Sequence, residues 1–70
     1  MEFVRVRFAE DRQVFIDGTP SGRTNQTLRV ETGTHTFNLG NPRDYVPAWR
    51  RPVVENTSAI RPLVVTFEKG

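Results

Sequence analysis

The chain has no cysteine, which excludes a disulfide framework and a thiolate metal site alike. It has one histidine, His35, and zinc sites need several histidine or cysteine ligands. The acidic residues are scattered, without the spacing of a calcium loop, and no glycine-rich phosphate loop is present. These absences predict no metal and no cofactor. No apolar run approaches the ~20 residues of a membrane helix, so no membrane insertion is expected. Met1 leads straight into Glu2-Phe3-Val4-Arg5, unlike a signal peptide. Read as a complete protein, the chain is expected in the cytoplasm; read as a module of a longer one, its location is open. Lysine is nearly absent, since nine of the ten basic residues are arginine and only Lys69 is not. A net charge of +2 falls short of the basic stripe of a dedicated nucleic-acid binder.

No window keeps a 3.6-residue apolar stripe, so no helix is expected. Seventy residues predict one domain, 1–70, near the lower limit for a self-sufficient core. A chain of this size buries only about 60% of the surface its unfolded form exposes. Without disulfides, stability must come from apolar packing or from an oligomer interface.

What is present is alternation. In Phe3-Val4-Arg5-Val6-Arg7-Phe8, Val4, Val6 and Phe8 are expected to face the core, with Arg5 and Arg7 in water. This strand carries no edge-blunting device besides its arginines. It is therefore expected to lie inside a sheet or to pair with another chain, which makes a homo-oligomer through it possible. Val14-Phe15-Ile16 stops at Asp17-Gly18, a hairpin signal. Thr19-Pro20-Ser21-Gly22 is expected as a loop or a short edge segment. Leu28 and Val30 point inward, and after Gly33 the residues His35, Phe37 and Leu39 share a face. Gly40 to Asp44 is expected as a surface loop. Pro52 limits the pairing of Val53-Val54, and Leu63, Val65 and Phe67 close the pattern. The expected fold is all-β, a small antiparallel sandwich of six or seven short strands. Its expected core is Val4, Val6, Val14, Ile16, Leu28, Val30, Phe37, Leu39, Leu63, Val65 and Phe67.

The turn residues also resemble those of the PEGA domain, a small prokaryotic β-sandwich module. Val14 to Gly18 matches its first strand and Asp-Gly turn, and Gly22-Arg23-Thr24 its Gly-x-Thr. Gly33 and His35 match a Gly-x-His ending, and Asp44-Tyr45-Val46-Pro47 is similar to the Gly-Tyr-x-Pro that follows. Asn25 stands where proline is usual, Glu31-Thr32-Gly33-Thr34 replaces the namesake tetrapeptide, and Asp44 replaces a glycine. The similarity spans about 12–68. It implies a β-sandwich and a non-enzymatic role in protein–protein or cell-envelope contacts.

Catalysis has little material. Ser21 and Ser58 lie in no nucleophile-elbow pattern, and His35 is expected as a partly buried histidine tied to a backbone group or a carboxylate. No catalytic residue is assigned, and the chain is read as a non-enzyme. One cluster could bind a partner: residues 41–51 hold the only tyrosine, the only tryptophan and three arginines. Arg43, Tyr45, Trp49, Arg50 and Arg51 are the candidate surface, since arginine beside aromatics is the composition of interface hot spots. The competing expectation makes Trp49 or Tyr45 the large packing residue of a small core, with the arginines solvated. The functional expectation is a binding or scaffolding module with a protein or cell-envelope partner. The alternative is a small nucleic-acid binder using Trp49, Arg50 and Arg51 with Arg5 and Arg7.

Overall fold

The computed structural model describes residues 1–70, and its regular elements are all strands. In chain order these are β1 (Glu2–Arg7), β2 (Gln13–Ile16), β3 (Thr19–Arg23), β4 (Thr27–Val30), β5 (Gly33–Thr34), β6 (Phe37–Asn38), β7 (Tyr45–Val46), β8 (Val53–Val54), β9 (Leu63–Thr66) and β10 (Glu68–Lys69). The all-β expectation holds. There are more strands than the six or seven expected, because runs that alternate smoothly in sequence are broken in space. The run after Gly33 is one such case: it leaves the sheet at His35-Thr36, separating β5 from β6. No helix is long and apolar enough to cross a membrane.

β1 lies at the centre of a three-stranded sheet, in the order β4-β1-β9. Its antiparallel register with β4 pairs Val4 with Leu28 and Arg5 with Thr27. Its register with β9 is parallel, pairing Val4 with Leu63 and Val6 with Val65. The ladders are otherwise antiparallel. A parallel pair needs a long crossover, and here nearly the whole chain lies between the two strands. Both edges of β1 are thus occupied within the chain. The interior placement expected for it is the one observed, and the second possibility, pairing with another chain along β1, is withdrawn.

A second sheet, β3-β2-β6, is built on the Asp17-Gly18 turn. Both turn residues have positive φ, 53° and 82°, as a two-residue hairpin of matching twist requires. Thr19–Arg23 is the short edge segment, an edge strand rather than a loop. Pro20 is tolerated there, and Ser21 is left out of register between the pairs Val14–Gly22 and Phe15–Pro20. Phe37 joins this sheet opposite Ile16.

The inward faces of both sheets meet in one core of 13 buried residues. Ten of the eleven expected core positions are in it, while Leu63 packs against it only partly buried. The additions are Phe8, which the alternation of β1 had pointed inward, together with Tyr45 and Val54. Phe15 faces away from this core. Its ring is covered instead by Gly40, where a Cβ would stand 2.6 Å from Phe15 Cε1.

Candidate functional site

Tyr45 is buried, so it is removed from the candidate surface and takes the packing role. Its ring meets Phe67 and Phe8 edge to face, at centroid separations of 5.6 and 6.3 Å. Its hydroxyl accepts the Leu39 N–H at 3.2 Å and donates to the Gly40 carbonyl at 2.9 Å. The Gly40-to-Asp44 loop is thereby tied down from inside.

Arg12 ties it down from outside, a role that no local motif signalled. Its side chain is 13% exposed and reaches Asp44 Oδ1 at 2.7 Å. It also donates to the carbonyls of Pro42 and Leu39, at 2.8 and 3.2 Å. The guanidinium lies 5.5 Å from the Tyr45 ring centroid and 5.9 Å from that of Phe8. The hydrogen bond from Arg12 holds the Asp44 carboxyl below its ordinary range. Thr24, the one buried polar residue, places Arg12. Its hydroxyl accepts the Arg12 N–H and donates to the Glu10 carbonyl, at 2.9 and 2.7 Å.

Trp49 is 55% exposed, which overturns the packing expectation for this residue. The turn of the chain at residues 47–49 carries it outward before Arg50 bridges to Phe37, and the core space is already filled by Tyr45. Arg51 lies over the indole at 5.4 Å and donates from Nε to Thr36 Oγ1 at 3.1 Å. Thr36 in turn donates its N–H to Asp17 Oδ1 at 2.9 Å. Asp17 Oδ2 lies 2.7 Å from His35 Nδ1. Trp49 and Arg51 therefore stand on a braced support that reaches back to the Asp17-Gly18 turn.

Arg50 and Arg51 diverge. The Phe37–Arg50 bridge turns consecutive side chains to opposite sides, and Arg50 Nε donates to the Thr66 carbonyl at 3.1 Å. Arg50 thus joins the face that carries Val64 and Thr66, lining a shallow groove with them. Arg43 is exposed and makes no ion pair. The five candidate residues are therefore dispersed: Trp49 and Arg51 together, Arg50 apart, Arg43 apart and Tyr45 inside.

His35 is held as expected, by one carboxylate and one backbone carbonyl. Nδ1 faces Asp17, and Nε2 lies 2.7 Å from the Glu31 carbonyl. Both partners are acceptors, so this geometry requires a proton on each ring nitrogen. Ser21 Oγ donates to Thr19 and Ser58 Oγ accepts the Arg61 N–H. No three His, Asp or Glu side chains converge in a way that could hold a metal ion.

What is defined is a small all-β unit with a braced Trp–Arg pair on its surface. No family model matches the chain, and no curated protein and no solved structure matches it. The resemblance to the PEGA module rests on its turn residues.

Proposed function

We propose that this chain is a non-enzymatic binding module that docks a protein partner through Trp49 and Arg51. The observation that carries the reading is the exposed indole, held in place by a stacked and hydrogen-bonded arginine. An exposed tryptophan offers a large apolar area whose burial is favourable. Tryptophan and arginine are the residue types that dominate interface hot spots. A braced pair also loses little conformational entropy on binding. The PEGA resemblance points the same way, toward protein–protein or cell-envelope contacts.

The nucleic-acid alternative draws on Trp49, Arg50 and Arg51 acting together. The opposite orientations of Arg50 and Arg51 favour the protein reading over it.

The test is affinity capture with the wild-type chain and with Trp49→Ala, followed by titration of the purified partner. The expected result is a specific partner lost by Trp49→Ala while the melting temperature stays within a few degrees. Capture that is indifferent to both Trp49→Ala and Arg51→Ala would remove the reading.

A further inference from the structure

We infer that the outer face of the β4-β1-β9 sheet is a second docking surface, for an acidic segment of a partner protein that also carries apolar side chains. This goes beyond the Trp49 reading, because the surface is a different one and its test does not depend on Trp49.

The register builds the face. Arg5 and Arg7 alternate outward from the central strand, with Thr27 and Val64 on either side of Arg5 and Thr66 beside Arg7. Two residues apart on a strand, the arginines stand ~6.6 Å from each other. They line a groove of about 540 Å³ with Asn25, Thr27, Ile60 and Val64 among its walls. No carboxylate and no aromatic ring lines it. Neither arginine makes an ion pair, and the one side-chain bond of Arg5 is a long one, 3.4 Å to Thr27 Oγ1. These guanidiniums are thus open to an anion, and their forked geometry suits carboxylates bidentately.

The second half of the face is apolar. Ile60 sits on the turn closed by the Ser58–Arg61 bridge and is 90% exposed, with Val64 in the groove wall at 49%. An occupant that places carboxylates on Arg5 and Arg7 and an apolar side chain against Ile60 satisfies both halves. Single-stranded nucleic acid fits less well, because small β surfaces hold it by stacking bases on aromatic side chains, and this groove has none. Strand addition alongside the arginines is closed, since β1 is paired on both edges. Recognition by Arg5 and Arg7 therefore runs through their side chains.

The probe is a fluorescently labelled peptide of alternating glutamate and leucine, compared with labelled oligothymidine of equal charge, by anisotropy at low and physiological salt. Variants are Arg5→Gln with Arg7→Gln, Ile60→Ser, and Trp49→Ala. All are at exposed positions where melting should change little. The expected result is saturable peptide binding, weakened roughly tenfold by the double arginine variant. Ile60→Ser should weaken it as well, and Trp49→Ala should leave it unchanged. Absence of saturable peptide binding, or binding indifferent to the arginine variant, would overturn the proposal. Tighter binding of the oligothymidine would reassign the face to nucleic acid.

Discussion

Asp17 and His35 stand 2.7 Å apart, Oδ2 to Nδ1, and clasp the first hairpin turn to the segment that separates β5 from β6. The hydrogen bond to Asp17 raises the His35 pKa above its ordinary 6.5, with partial burial opposing it and the Glu31 carbonyl adding to it. Asp17 is lowered from 3.8, first by the Thr36 N–H and then by His35. For a raised histidine, the stabilisation is complete below the unfolded pKa and is lost as pH rises through the folded one. For the lowered aspartate, it is present above 3.8 and is lost as pH falls through the depressed value. The melting temperature should therefore fall as pH rises from the ordinary histidine value of 6.5 through the raised folded-state value. His35→Gln should flatten that fall. Parallel profiles for the variant and the wild type would show that the clasp contributes nothing.

Glu2 makes the corresponding prediction on the acid side. Its carboxylate accepts the Thr57 hydroxyl at 2.6 Å, the Thr32 hydroxyl at 2.7 Å and the Thr57 N–H at 2.9 Å. These bonds, the Thr57 hydroxyl first, lower its pKa to about 2. Stability from this group is present above 4.5, its ordinary value, and is lost as pH falls through about 2. Glu2→Gln should lower the melting temperature at neutral pH and reduce the loss of stability in acid. Acid titrations of the two proteins followed by circular dichroism will show whether their low-pH limbs differ.

Packing and surface roles separate cleanly among the aromatics. Phe37 and Phe67 are fully enclosed, so either change to alanine should cost ~3–5 kcal/mol. That is a large part of the 5–15 kcal/mol that ordinarily holds a domain together, as a rough range, and urea titration should find both variants largely unfolded. Trp49→Ala should leave the urea midpoint near that of the wild type. A Trp49→Ala midpoint that drops as far as that of Phe37→Ala would place the indole in the core.

Arg12→Ala should cost about 2 kcal/mol, since it removes charge-assisted bonds to Asp44, Leu39 and Pro42 from a mostly enclosed side chain. Amide hydrogen exchange should rise selectively at Leu39 and Gly40, whose loop it anchors. Arg12→Lys should restore little of this, because an ammonium cannot reproduce the forked contacts. Uniform exchange across the chain in both variants would instead mean that Arg12 acts only on global stability.

The sequence alone determined this protein wherever the physics is local. Alternation decided that Val4, Val6, Leu28, Val30 and Val65 point inward, because a one-residue slip would turn each strand's apolar set to water. Asp17-Gly18 decided a hairpin, because its tight turn needs positive φ at both residues. That His35 would be tied to a backbone group or a carboxylate was also legible, since a lone polar ring near apolar neighbours must find partners, and the structure supplies one of each. Tertiary structure decided the rest. Tyr45 and Trp49 are alike in sequence as large aromatics four residues apart, and only the space beside Phe8 and Phe67 selected Tyr45 for the core. Arg12 carries no local signal of its role, which exists only because the folded chain brings Asp44, 32 positions away, within 2.7 Å. The parallel pairing of β1 with β9, and with it the arginine face, joins the two ends of the chain. No local pattern encodes such a pairing, because its energy comes from contacts that exist only once everything between the two strands has folded.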